Sequence, residues 1–356
     1  MANNFIGIDI GTYNTKFTDI SVGKKTVQFG YSLVTRTPEY LVQNGRVADP
    51  AALAQFLKQH ARRRGFHARK ALIILNDSLV VTRDIHLPVG KPKEISAMIR
   101  ADASEYLPFD VNQYTLRHKL LSPAAKTPGS TNYLLTASVK TDLMMDFYSA
   151  FRMAGLKPAA VDVTINCMIK YLQRIVNPES QQTIAMVDLG ATTCKIVILW
   201  KGVPVFQQIV ANNPRKIDVM LTTLLNMERN QAEECKIKYG LSFLQEDNED
   251  GESKAVGPVI QNQMDLILSD VYKHLNGYCS RNGITLDRIF LAGGTAMMKG
   301  LPGYIESAFS IPCSLVCTDE FIKAAKPSRR IPEDSADLNQ AFPYFVCLAG
   351  AAMRGD

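Results

Sequence analysis

Two stretches of this chain set an aspartate and a lysine seven residues apart across a glycine. Asp9-Ile10-Gly11-Thr12-Tyr13-Asn14-Thr15-Lys16 and Asp188-Leu189-Gly190-Ala191-Thr192-Thr193-Cys194-Lys195 both fit Asp-[Ile/Leu]-Gly-x4-Lys. Each copy lies between apolar runs, which predicts a strand-turn-strand whose glycine supplies a positive φ and a close backbone approach. Main-chain N–H groups after such a glycine converge on an anion. Gly11, Thr12, Tyr13 and Asn14, with Gly190, Ala191, Thr192 and Thr193, are therefore candidate phosphate contacts, and Lys16 and Lys195 the cations that neutralise the phosphate charge. A carboxylate repels phosphate unless a divalent cation stands between them. Asp9 and Asp188 are accordingly candidate Mg²⁺ positions, holding waters of an ion that bridges nucleotide phosphates. Asp188 is also the candidate for orienting an attacking water. A lone Asp-x-Gly is an ordinary turn, whereas two copies in strand context point to ATP or ADP.

A third feature is Phe290-Leu291-Ala292-Gly293-Gly294-Thr295-Ala296, an apolar strand, a glycine pair and a helix start. Gly293 and Gly294, with Thr295 beside them, allow a flat base to lie on the backbone. Alone, such a pair also fits a simple turn.

The elements that must hold these residues follow from periodicity. Phe5 to Asp9, Thr15 to Ser21 and Thr26 to Val34 read as an antiparallel meander. Asp49-Pro50 caps an amphipathic helix through Arg64, and Ala71 to Leu75 reads as a buried strand. Residues 83–158 read as an inserted β-α-β-β-α unit: a helix over Lys93 to Tyr106, strands Tyr114 to Leu121 and Tyr133 to Val139 around a Pro/Gly/Ser-rich loop, and a helix over Thr141 to Ala154. The meander then recurs in Gln182 to Leu189, Lys195 to Trp200 and Val205 to Ile209. A helix over Lys216 to Met227 follows. Asn230-Gln231-Ala232-Glu233 has the form of a capping box, and the helix it opens ends at Gly240 as its C′ residue. Gln245 to Ser253 is acidic and reads as a solvated loop, and Val259 to Ser280 as a long helix with one apolar stripe. Phe147, Phe151 and Tyr278 are expected in the core.

At 356 residues the chain exceeds one ordinary core, so two bodies around a cleft are expected. The charge of +6, from 40 basic against 34 acidic residues, comes without an arginine-rich arm, so nucleic acid is not the expected partner. Arg62-Arg63-Arg64 reads as a solvated helix end. Seven scattered cysteines form no disulfide framework, and Cys313 and Cys317 lack a second pair for zinc. The five histidines suggest no metal site. Met1-Ala2-Asn3-Asn4-Phe5 carries no signal-peptide pattern, and no run approaches the roughly 20 apolar residues that span a bilayer. The expected place is the cytoplasm, with the membrane reached through partners.

Together these residues resemble the actin, hexokinase and heat-shock-chaperone ATPase superfamily. Within it, Glu105-Tyr106-Leu107-Pro108-Phe109, Ala154-Gly155-Leu156-Lys157-Pro158 leading to Val161-Asp162, and Ala232-Glu233-Glu234-Cys235-Lys236 are similar to the PilM family of type IV pilus assembly, a relative of FtsA. The resemblance implies an α/β, actin-like ATPase fold: two ribonuclease-H-like lobes around a nucleotide cleft, with an FtsA-type inserted subdomain. It divides the chain into a first lobe at 1–82 plus 331–356, an inserted subdomain at 83–158, a second lobe at 159–215 plus 284–330, and a helical nucleotide-binding subdomain at 216–283. It places Glu233 and Lys236 near the nucleotide's sugar and base, and Lys273 against the base. Asp162 has two open readings, a connector near the γ-phosphate and a helix N-cap. FtsA-like chains end in an amphipathic membrane helix, whereas this sequence ends Ala351-Ala352-Met353-Arg354-Gly355-Asp356, which favours the PilM side. Where the family often has a glycine pair, this chain has Ala211-Asn212-Asn213.

The implied function is an ATP-binding scaffold with slow or absent turnover. It would bind the cytoplasmic tail of a PilN-like membrane protein in a groove between the first lobe and the inserted subdomain. Pilus-assembly motor ATPases and further copies of the chain are additional candidate partners. The rival readings are an FtsA-like filament former and a sugar-kinase-type phosphotransferase, for which the sequence holds no sugar motif.

Overall fold

The computed structural model describes residues 3–43, 46–63, 66–75, 80–101, 110–122, 130–176, 181–211, 214–241, 251–325 and 334–353. Glu105 to Phe109, Asn212-Asn213 and residues 245–250 lie outside them.

Alternating apolar residues put Ile6, Ile8 and Ile10 of strand β1 (Asn3–Ile10) into a common core. β2 (Asn14–Val22) and β3 (Val27–Arg36) continue it as the expected antiparallel meander, and β4 (Val42–Gln43) pairs with β5 (Arg46–Val47). Helix α1 (Pro50–Ala61) begins where expected, because the Ala51 amide donates to Asp49 Oδ1 at 2.8 Å. It ends three residues before Arg64. β6 (Lys70–Leu75) runs parallel to β1. β7 (Val80–Pro88), α2 (Pro92–Ala101), β8 (Tyr114–Ser122) and β9 (Thr131–Lys140) follow. They form a three-stranded sheet in the order β7-β9-β8 with a small core around Ile85, Ile99 and Leu134.

α3 (Thr141–Met153) turns Phe147 and Phe151 into the core shared with β1, β6 and α1. β10 (Lys157–Val163) then joins β6 in parallel, and its Pro158 is tolerated because β10 is an edge strand with a register shift there. The sheet order is β10-β6-β1-β2-β3, closed by a short strand at Ile322–Ala324. These elements form one compact unit, residues 1–166 with 321–336 and 351–356.

The second compact unit takes residues 167–320 with 337–350. After α4 (Thr164–Ile175), β11 (Thr183–Leu189), β12 (Cys194–Trp200) and β13 (Val203–Val210) repeat the meander. β11 is buried along its length, as a central strand covered on both faces must be. α5 (Lys216–Leu225), α6 (Arg229–Tyr239) and α7 (Gly251–Asn282) pack over it with β14 (Arg288–Ala292), α8 (Leu301–Phe309) and β15 (Cys313–Leu315). The sheet order is β13-β12-β11-β14-β15. The Ile322–Ala324 strand is β16, and α9 (Leu338–Ala341) and α10 (Val346–Ala352) close the chain. Tyr278 packs on Phe206 at 4.9 Å between centroids.

Two helix boundaries differ from expectation. α6 starts at Arg229, and its cap position is Glu228 with no side-chain cap bond, so Asn230 lies inside the helix and the capping box does not form. α7 starts at Gly251, so the part of the acidic stretch from Gly251 to Ser253 is helix and passes straight through Pro258. An interior proline costs about 3 kcal/mol. Burial of Val256 and Ile260 on the stripe that continues through Met264 offsets it, at roughly 1.5–3 kcal/mol per side chain.

Candidate functional site

The seven-residue spacing of the repeat has a direct geometric consequence. Asp9 and Lys16 are cross-strand partners of β1 and β2, and Asp188 and Lys195 are cross-strand partners of β11 and β12. Side chains directly opposite share a face. Lys16 Nζ meets Asp9 Oδ2 at 3.0 Å, and Lys195 Nζ meets Asp188 Oδ2 at 3.1 Å. The second pair is the more deeply set, with Asp188 7% and Lys195 9% exposed.

Between each pair runs a four-residue turn closed by its glycine. Gly11 N donates to Asn14 O, and Gly190 N to Thr193 O, both at 3.1 Å. Neither glycine has a positive φ, which corrects the sequence expectation. What requires glycine is space: a Cβ at residue 11 would stand 2.7 Å from Asn14 O, and one at residue 190 would stand 2.9 Å from Thr193 O. A Cβ at residue 11 would also crowd Lys16 Nζ at 3.2 Å, and one at residue 190 would come into contact with Lys195 Nζ at 3.4 Å.

Threonines from elsewhere fix both turns in the same way. Thr37 Oγ1 donates to Gly11 O at 2.9 Å, and Thr295 Oγ1 donates to Gly190 O at 3.0 Å. Thr37 N also donates to Tyr13 O, and Arg215 N to Ala191 O. The Arg36 guanidinium lies 3.3 Å from the centroid of the Tyr13 ring. Behind the second hairpin, burial pushes the Cys194 thiol up to about 12, so that cysteine is inert.

The positive φ expected in the hairpins occurs at Gly293 instead, at +87°. Ala292 is the register partner of Asp188, so the glycine pair emerges beside that carboxylate. Gly294 is covered by the Tyr344 ring, which a Cβ would meet at 2.7 Å. Thr295 opens a 3-10 turn where a helix start was expected.

The residues singled out for the nucleoside are held as follows. Lys236 Nζ donates to Asp218 Oδ1 at 2.5 Å, tying α6 to α5. Glu233 is half-buried one turn earlier on α6. Lys273 stands on α7 with its side chain 71% exposed, paired with Asp270 at 3.2 Å.

Asp162 sits at the end of β10. Its Oδ1 accepts from Val163 N and from Asn166 Nδ2, both at 2.8 Å, while Asn166 Oδ1 accepts from Lys119 Nζ at 3.1 Å. Asp162 and Asn166 border a groove of about 470 Å³ between the three-stranded sheet and the end of β10. Leu135, Ala137 and Val139 of β9 and Met144 of α3 give it an apolar wall. Arg117 and Lys119 of β8 give it a basic one.

Residues 7–356 match the protein family described as type IV pilus assembly protein PilM. The chain belongs to the PilM family. Among solved structures, a "PilM-PilN type IV pilus biogenesis complex" is similar at 22% identity, covering 98% of each chain with a TM-score of 0.82. The ethanolamine utilization protein EutJ from Carboxydothermus hydrogenoformans is similar at 13% identity, over 99% of this chain and 90% of that one, with a TM-score of 0.51. This PilM-family chain has the actin-like ATPase fold.

Sequence reasoning missed Thr37, Arg36, Tyr344 and Asp218, each of which supports a PilM-family hairpin, glycine turn or lysine from a distant segment. The signal for Thr37 was its place one residue beyond β3, level with the first turn. Tyr344 and Asp218 had none.

Proposed function

We propose that this PilM-family protein is a nucleotide-holding scaffold. Each Asp–Lys hairpin binds phosphates of ATP or ADP with Mg²⁺, and the groove beside β10 receives the cytoplasmic tail of a PilN-like membrane protein. The observation that carries the nucleotide half is the repetition of one construction, an ion pair closed across a turn whose glycine leaves no room for a Cβ.

The residues present fit the ligand. With the Gly11, Tyr13, Gly190 and Ala191 carbonyls engaged by internal donors, the turns can offer an anion the N–H groups that follow each glycine and the hydroxyls of Thr12, Thr192 and Thr193. Phosphate competes with Asp9 and Asp188 for Lys16 and Lys195. The described residues contain no group of three or more His, Cys, Asp or Glu side chains placed to hold a metal. That suits Mg²⁺, which keeps several waters and takes ligands from the phosphates, with Asp9 and Asp188 supplying the protein's share. Bound there, the cation would neutralise phosphate charge. Asp188 is the group to orient a water, and Glu233, Lys236, Lys273, Gly293, Gly294 and Thr295 form the nucleoside side.

The partner half draws on the PilM-PilN structure and on the groove itself. Asp9, Ile74 and Asp162 are successive register partners across β1, β6 and β10, so the first hairpin and the groove share one sheet. Nucleotide at the hairpin can therefore bear on groove shape through adjacent strands. No described helix is long and apolar enough to cross a membrane, and the tail would bring the protein to the membrane face.

The test is calorimetry with Mg·ATP on the wild-type chain, Asp9→Ala and Asp188→Ala. Retained affinity in both variants removes the hairpin assignment. A tail peptide that binds equally with and without ATP removes the link between hairpin and groove.

A further inference from the structure

We propose that this groove is selective for an extended apolar segment carrying a carboxylate, and that Arg117 and Lys119 read that carboxylate. The inference rests on the partner reading above and adds the chemistry that distinguishes the right segment from a merely hydrophobic one.

Register sets the geometry. Thr115, Arg117 and Lys119 of β8 stand opposite Val139, Ala137 and Leu135 of β9. Opposed residues share a face of the sheet, so one face carries an apolar row with a polar, basic row beside it. Both rows border the groove, and Val161 and Asp162 of β10 close it from the other side. β8 is the outermost described strand of its sheet, and so is β10. An opening bounded by two sheet edges suits a strand-like occupant, whose alternate side chains separate toward the apolar row and the walls.

Charge then decides between occupants. Among the described residues, the lining holds two permanent cations, Arg117 and Lys119, against one carboxylate, Asp162. Asp162 is already served by the Val163 amide and by the Asn166 side chain. His118 adds no fixed charge, because burial first and Arg117 second hold its imidazole below the ordinary value. Arg117 donates through Nη1 to Leu116 O at 2.9 Å, which anchors an exposed guanidinium at the rim with donors left over for a two-point contact. The surplus charge of the described lining residues is positive, which disfavours a basic segment and gives an acidic one a partner.

The experiment uses the full chain and synthetic peptides of the cytoplasmic tail of the PilN-like protein from the same organism. In one peptide per position, each Asp or Glu is changed to Asn or Gln, and binding is measured by calorimetry at two salt concentrations. One such change is expected to weaken binding to the wild-type chain about tenfold, a typical loss for a close charged pair across an interface. The same change should have little effect on an Arg117→Met/Lys119→Met variant whose unfolding midpoint matches wild type. Amide peptides that bind as well as the parent, or a double variant that keeps parental affinity and salt dependence, overturn the proposal. A tail that fails to bind in any version removes the docking reading, and this inference with it.

Discussion

Gly293 is folded onto Asp188. At φ +87° its backbone lies where any Cβ would collide with Asp188 Oδ1 and stand 2.5 Å from the Leu189 carbonyl oxygen. The glycine pair after β14 thus sets the position of the second hairpin's carboxylate, two features that the sequence keeps more than 100 residues apart. Gly293→Ala must either move that carboxylate or strain the turn. We expect a stability loss of roughly 1–3 kcal/mol in urea unfolding. Mg·ATP affinity measured by calorimetry should fall together with it. Unchanged affinity would separate the glycine from the phosphate site.

The two ion pairs should differ in what they contribute to stability. Asp188 and Lys195 have side chains 10% and 11% exposed, against 16% and 17% for Asp9 and Lys16. Removing one partner of a buried pair strands the other charge and costs roughly 3–5 kcal/mol. Asp188→Ala should therefore destabilise more than Asp9→Ala, for which roughly 1–3 kcal/mol is expected. Lys195→Met placed on Asp188→Ala should recover much of the loss. Urea unfolding of the four proteins measures this directly, and equal costs for the two aspartates would contradict it.

The hairpins were legible in the sequence because both ends of the motif lie seven residues apart, so local spacing alone sets Asp opposite Lys. Of the two reasons expected for Gly11 and Gly190, close backbone approach holds and positive φ does not, because a tight turn needs either an unusual φ or room, and a sequence does not say which. Asp162 stayed open between two readings because its surroundings come from Asn166 and from Lys119, more than 40 residues earlier. The groove was expected only as the family resemblance implied it. Its basic wall depends on β8–β9 register, which puts Arg117 beside Ala137 and which composition does not encode. At Pro258 the local rule for a helix break lost to burial of the stripe on both sides.

Two glycines give opposite expectations for the same substitution. A Cβ at Gly350 of α10 would strike the Cys167 carbonyl oxygen and stand 2.6 Å from its carbon, backbone of α4 that has no flexible end to move. Gly277, inside α7, has nothing within 4 Å of its would-be Cβ. Gly350→Ala should force α4 and α10 apart and lower the unfolding midpoint sharply. Gly277→Ala should raise stability by about 0.5–1 kcal/mol, since alanine gives up less backbone entropy in a helix. Thermal unfolding of the two variants decides, and a neutral Gly350→Ala would refute the close helix crossing.

Glu252 makes the junction of α6 and α7 sensitive to acid. Its Oε2 accepts from Tyr239 Oη at 2.6 Å and from Lys238 Nζ at 3.2 Å. The Tyr239 hydrogen bond, followed by that from Lys238, holds the carboxyl below its ordinary value of 4.5. A carboxylate depressed in the folded state contributes stability that is fully present above the unfolded value and is lost as pH falls through the folded one. The first turn of α7 should therefore loosen from α6 only below the ordinary carboxylate range and stay fixed at neutral pH. Hydrogen exchange of the α7 amides from Glu252 to Val256 should accelerate on acidification in the wild-type chain beyond the intrinsic pH effect. In Glu252→Gln those amides should exchange faster already at neutral pH, with that extra acid dependence gone. Equal protection in the two proteins at neutral pH would show that the Tyr239–Glu252 contact does not anchor the helix start.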